Sequence, residues 1–394
     1  PEAFMKLTSI FIVVASLFYF MMGFATQSIN SALPAIAVEL EMSHSMTGLV
    51  LGLPSLLYQV AVIVAAALSR KSGPFLSASL GISCITFSVI FMALSRTYYT
   101  FLIGRLLFGF GLGATEISIA LGVSQLAFKR TGGVLNSVYS FFALGSIVAP
   151  LVVSAVLTET NMWNVPILIA AALFLVVVFL SWTVWKKAAK ESLSDVEKRR
   201  ITLPRDSMFW LVAAGGLLYV GYEVGLFSWL SSFAYEEKLL PLRMASLTTS
   251  ILALGLFVGR IVTGVVVDKF GLQRTLVVLG TISLAGFSIA FFAGNSILLS
   301  LGVFITGLGF SGTFPTLQAI IVSGYRQNRE TVLAIFAAAG SVGAVTTNIL
   351  VGGVSDRTNL AYGMSVIGVQ IAAALLIFTS IYLIQRKRKK LSTP

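Results

Sequence analysis

Charge is scarce in this chain. Asp, Glu, Lys and Arg together make up 11% of the 394 residues, whereas hydrophobic residues make up 57%. A soluble domain carries about a quarter charged residues, and a mean hydropathy of +0.94 is far above what a water-facing surface allows. A water-soluble fold is thereby excluded. Cysteine and histidine occur once each, as Cys84 and His44. A single cysteine excludes an internal disulfide and a thiolate metal site, and Cys84, inside an apolar run, reads as a small core filler. His44 lies in a short polar stretch beside Glu41, where too few ligands gather for a metal, and it reads as a surface residue. The chain also lacks a Walker-type phosphate loop, a dinucleotide fingerprint and any metal-binding constellation. No cofactor, no metal, no enzymatic activity and no ATP-driven transport by this chain alone is expected.

What is present is a series of apolar runs of roughly 20 to 25 residues, the length that crosses a hydrocarbon core of about 30 Å at 1.5 Å rise per residue. Twelve spans are expected, near 8–36, 46–68, 75–95, 99–126, 133–158, 163–185, 208–234, 243–267, 274–293, 297–323, 331–354 and 362–385. Each is expected to be helical, because an isolated apolar segment in lipid can satisfy its backbone in no other way, and the Gly-rich sequence does not alternate as a barrel would. The first run has no small-residue cleavage site and is expected to be retained as a helix.

The formal net charge of +12 does not point to nucleic acid, because its distribution follows the membrane. Alternate loops hold 21 of the 27 Lys and Arg, seven of them between Lys186 and Arg205, whereas the intervening loops hold four: Arg96, Lys238, Arg243 and Arg357. That asymmetry places both termini in the cytoplasm of a plasma (cell inner) membrane protein. The chain is expected to contact lipid and to be a monomer.

Shifting the sequence against itself by 198 residues brings Gly73 onto Gly271, Gly109 and Gly111 onto Gly307 and Gly309, Gly145 onto Gly343 and Glu39 onto Glu237. A constant offset over five helices signals internal duplication. The expected organisation is a six-helix bundle at 1–186, a polar cytoplasmic linker at 187–207 that is part amphipathic helix, and a second bundle with a basic tail at 208–394. Two parallel six-helix repeats with a substrate path at their interface are the architecture of major facilitator transporters.

Two motifs point the same way. GVVVDKFGLQR, Gly264 to Arg274, resembles the facilitator-superfamily loop signature. There Gly264 is expected to allow close helix approach, Asp268 to face a helix N-terminus, Gly271 to make the tight turn and Arg274 to mark the cytoplasmic boundary. In the first half the same position reads AALSRKSG, with Ala66 and Arg70 in place of the Gly and the Asp. GRLLFGFGLG, Gly104 to Gly113, resembles the superfamily's fourth-helix pattern. Arg105 and Glu116 lie eleven residues apart, about three helical turns, on a face shared with Gly109 and Leu112.

Charges at membrane depth cost about 2.5–3.5 kcal/mol or more unless they meet a wet cavity or a partner, so this face is expected to look inward. Arg105 reads as structural and Glu116, opposite Phe314 in the repeat, as a substrate or proton group. In the seventh helix, Glu223 with Tyr222 and Trp229 is the carboxylate-plus-aromatic set that holds sugars; the alternative is a structural carboxylate bonded to a neighbouring helix. Arg260 reads as a packing and gating element. Gln27, Asn30, Asn136, Tyr139, Gln318 and Asn348 complete the expected polar lining.

Longer segments extend the likeness. LNSVYSFFALGSIVAPLV, YEVGLFSWLSSFAYE and GTFPTLQA resemble the fifth, seventh and tenth helices of the fucose-permease-like branch. Tyr139 stands where that branch has His and Asn30 near the place of its first-helix Asp, while Glu116 sits about where it has its fourth-helix Glu. The resemblance implies proton-coupled uptake of a small polar solute such as a sugar, with one of the two familiar carboxylates missing. Proton-driven efflux of amphipathic compounds is the alternative, weakly signalled by Ala149-Pro150. A receptor or assembly factor on a transporter scaffold is a third reading, opposed by the embedded Glu116, Glu223 and Arg260.

Overall fold

The computed structural model describes residues 2–126, 131–159, 162–188, 206–324 and 329–392, and regular structure among them is helical throughout. In chain order the helices are α1 (Glu2–Glu39), α2 (His44–Gly52), α3 (Pro54–Ser72), α4 (Pro74–Ala93), α5 (Tyr98–Leu126), α6 (Thr131–Glu159) and α7 (Asn164–Ala188), followed by α8 (Ser207–Glu236), α9 (Leu242–Phe270), α10 (Leu272–Phe291), α11 (Ser296–Phe310), α12 (Thr313–Gly324), α13 (Arg329–Arg357) and α14 (Leu360–Ser392). Among the described residues, twelve stretches are long and apolar enough to cross a bilayer. They match the sequence spans one for one. The second, His44–Ser72, is α2 and α3 together, and the tenth, Ser296–Ile321, contains the junction of α11 and α12.

The chain divides into two compact units. One comprises Pro1–Met42 and Leu49–Lys198, the other Ser43–Gly48 and Arg199–Pro394. The expected boundaries at 186 and 208 give no hint that Ser43–Gly48, early in the chain, sits with the second unit. Of the expected linker, residues 189–205 lie outside the described residues, as do the side chains of Asn136 and Asp268 and the loop cations Lys129, Arg130 and Arg326.

The 198-residue repeat is geometric as well as textual. In the first unit α1 packs on α6 and α7, α3 on α5, and α4 on α5 and α7; in the second α8 packs on α13 and α14, α9 on α11, and α10 on α11 and α14. The turns repeat too. Gly73 and Gly271 take φ of 85° and 80°, and Glu41 and Leu239, also 198 apart, take 50° and 53°. Left-handed backbone costs a non-glycine residue about 1–2 kcal/mol, so its recurrence at equivalent places marks a turn that the helix geometry imposes. Glu39 Oε2 accepts a 2.6 Å bond from Trp163 Nε1 in the first unit. Glu237 Oε1 accepts one of 3.2 Å from the Ala361 amide, the residue equivalent to Trp163, in the second. Each carboxylate thus ties the end of its unit's first span to the start of its sixth.

Close helix crossings follow the glycines. A side chain on Gly109 would collide with the Pro54 carbonyl and one on Gly307 with the carbonyl of its equivalent, Leu252. Gly145 lies equally tight on the Phe20 carbonyl and Gly343 on that of Leu217. Without a hydrophobic driving force between helices in lipid, such small-residue seams let backbones approach and maximise dispersion contact. Gly264 is a correction to the sequence reading. It is exposed and an added Cβ would meet nothing within 4 Å, because this turn of α9 runs free of its neighbours, so it allows no close crossing. Gly271 does form the tight turn, starting α10 one residue after α9 ends.

Candidate functional site

Each unit places one carboxylate at mid-helix. In the first unit the α3–α5 seam sets the geometry: Gly109 rests on Pro54 and Gly113 on the Tyr58 backbone. With the helices this close, Tyr58 Oη reaches across and donates a 2.8 Å bond to Glu116 Oε2. Tyr139 on α6 meets Tyr19 on α1 edge to face, ring centroids 4.7 Å apart. Glu116 lies within electrostatic reach of all three phenols, Tyr19, Tyr58 and Tyr139. The half-buried carboxylate is therefore set among hydroxyl groups.

Further along α1, Asn30 Nδ2 donates to Gln27 Oε1 at 3.3 Å, and both side chains are buried. Asn30 Oδ1 has no hydrogen-bond partner among the described residues, and neither has Ser28 Oγ. Buried acceptors left open in a low-dielectric interior are costly.

Arg105 is buried on the same helix as Glu116, but its partner is a backbone atom. Its Nε donates to the Val50 carbonyl at 3.3 Å, and its guanidinium lies over Phe108. The reason is Pro54, which has no N–H to offer the residue four before it, so Val50 needs an outside donor.

In the second unit Glu223 lies within electrostatic reach of Arg260 on α9 and of Tyr219 and Tyr222. Tyr219 Oη donates to the Phe310 carbonyl at 2.8 Å, at the C-terminal end of α11. Two expectations need correction here. Trp229 is fully buried, and its Nε1 donates to Asn348 Oδ1 at 3.0 Å, while Asn348 Nδ2 donates to the Ala344 carbonyl. Tyr222 is likewise fully buried, its ring against Phe310. Neither ring presents a free face beside Glu223, because α8 directs both into the helix packing. Gln318 on α12 is half-buried, and Arg260, Gly271 and Arg274 are exposed.

Sequence reasoning passed over Tyr19, Tyr58 and Tyr219. Tyr219 was legible as the residue one turn before Glu223. Tyr58 carried no signal, since only the α3–α5 crossing brings it to Glu116. His44, read as a surface residue, is the first residue of α2, and its ring touches two carboxylates.

The sequence profile described as the Major Facilitator Superfamily matches residues 15–347 and, again, residues 240–394. The chain belongs to the Major Facilitator Superfamily. It is a multi-pass membrane protein of a transporter family. A relative described as the glucose/mannose transporter GlcP of Bacillus subtilis (strain 168) is 23% identical over 308 residues, covering 74% of each chain. The crystal structure of the nucleoside transporter NupG has a TM-score of 0.72 at 14% identity, covering 95% of this chain and 99% of that one. That of the facilitator-superfamily transporter FucP, in the outward conformation, has a TM-score of 0.63 at 16% identity, covering 94% and 98%. These structures share the fold, and the likeness at such identities extends no further than the fold.

Proposed function

We propose that this facilitator-superfamily protein carries a small polar solute of the sugar class across the cell membrane by alternating access, coupled to protons at Glu116, with both termini in the cytoplasm. The observation that carries the reading is the Glu116 site. A carboxylate at membrane depth, held by Tyr58 and ringed by Tyr19 and Tyr139, has hydroxyl neighbours that accommodate it protonated or ionised. Such a group can gain a proton on one side and release it on the other. The same phenols, with Gln27 and Asn30 on α1, are the donors and acceptors that a polyhydroxyl solute requires. The glucose/mannose description of the Bacillus subtilis relative supports the solute class. Glu223, within electrostatic reach of Arg260 and Tyr219, reads as a structural carboxylate, and Tyr222, Trp229 and Asn348 as buried packing residues.

The test is transport of labelled glucose and mannose into proteoliposomes with and without a pH gradient, for the wild type and Glu116→Gln. The amide keeps an acceptor for Tyr58 but cannot titrate. Gradient-driven accumulation should vanish in the variant while downhill exchange persists. Accumulation that survives in Glu116→Gln removes Glu116 as the proton carrier, and absence of any uptake by the wild type removes the hexose reading.

A further inference from the structure

The N-terminal end of α2 is completed by a residue more than three hundred positions away. Helix N-termini leave their first amides without partners, and a nearby carboxylate satisfies them and complements the helix dipole. α2 has no acidic residue in its own first turn. Ser43 supplies the local cap, its Oγ accepting from the Met46 amide at 3.2 Å. Asp356, near the end of α13, supplies the charge: its carboxylate accepts from the His44 amide at 2.8 Å, the Ser45 amide at 3.0 Å and Ser43 Oγ at 2.9 Å. Gly48 and Gly352 let the two helices meet closely, since a Cβ on Gly352 would strike the His44 carbonyl.

The His44 side chain closes this arrangement. Its Nε2 lies 2.8 Å from Glu236 Oε2 and its Nδ1 3.5 Å from Asp356 Oδ1, with the ring tilted over Trp229. A neutral imidazole carries one N–H and would turn a lone pair toward one of the two carboxylates; only the imidazolium donates to both. Glu236 from α8 and Asp356 from α13 are the charged groups acting on the ring, and nearby Glu237 bonds the Ala361 amide. Histidine is the side chain that changes charge between about pH 5 and 8. The geometry is that of a contact requiring a proton.

The second span is shared between the units, residues through Gly48 belonging to one and those from Leu49 to the other. Left-handed Glu41 precedes the docked segment, and the break at Pro54 ends α2.

We propose that the docking of Ser43–Gly48 in the second unit is a proton-operated latch, closed while His44 is charged and loosened when it is neutral. The contact is therefore at full strength at acidic pH and is lost as pH rises through the titration of the ring. Acid on the side bearing His44, expected to be outside, holds the segment down. Alkaline conditions loosen the segment from α8 and α13.

The test is hydrogen–deuterium exchange of the segment around 43–52 in the full-length protein in lipid nanodiscs, from pH 5.5 to 8.5, corrected for the intrinsic rate. No solute is needed, so the outcome is independent of the transport assay. For a partly exposed ion pair, worth about 0.2–1 kcal/mol, the opening equilibrium of the wild type should rise roughly 1.4- to fivefold with pH. In His44→Gln it should be flat and already at the open level, and Asp356→Asn should lower protection at every pH. Because His44 is the chain's only histidine, a protein purified without a histidine tag and labelled with 15N-histidine gives a single imidazole to follow by NMR. A flat wild-type profile, a wild-type profile retained in His44→Gln, or a ring still neutral at pH 5.5 overturns the latch.

Discussion

At the scale of single residues the membrane makes every unpaired polar atom costly, and the Val50 carbonyl shows the consequence. Pro54 deprives it of a helical partner, and Arg105 supplies one at 3.3 Å. Arg105→Leu should destabilise the protein by about 1–3 kcal/mol, the cost of leaving a buried acceptor open. Pro54→Ala restores an amide four residues on, so the same Arg105 substitution should cost measurably less in that background. A double-mutant cycle on melting temperature in detergent reads the coupling, and simple additivity of the two changes would contradict this account. The sequence marks Arg105 as an embedded charge, and the structure shows it buried. It did not show the partner, because a backbone carbonyl carries no residue-type signature.

At the scale of elements, glycine has two different meanings in this fold. Gly307 faces the Leu252 carbonyl at the α9–α11 crossing, whereas Gly264 on α9 faces open space. Gly307→Val should drive the helices apart and lower stability by about 1–3 kcal/mol or more. Gly264→Ala should be neutral or slightly stabilising, since helical glycine costs about 0.5–1 kcal/mol relative to alanine. Thermal unfolding followed by size-exclusion chromatography separates the two, and equal losses would mean that the crossing is not the cause. Both glycines belong to motif-like strings, and only the packing tells them apart. The turn glycines Gly73 and Gly271 were readable from sequence alone, because a positive φ is a local demand that glycine meets most cheaply.

At the scale of the whole molecule the cation asymmetry makes a topological prediction. Reporters fused after Lys190 and at the C-terminus should be cytoplasmic, and one inserted beside His44 should be outside. A cytoplasmic reporter at His44 would contradict the assigned orientation, and with it the direction of the proposed pH response. The number of spans, their helical state, the 198-residue duplication and the family were all determined by the sequence. Each depends on a local quantity that the bilayer reads segment by segment: apolar length, the absence of water for the backbone, and loop charge. The choice of partners was decided only by the tertiary structure. Tyr58 on Glu116, Arg105 on Val50, Trp229 on Asn348 and Asp356 at the start of α2 join residues 58, 55, 119 and about 312 positions apart. No periodicity or composition encodes which helix faces another, because that choice rests on close packing at small-residue seams and on polar groups that have nowhere else in lipid to bond.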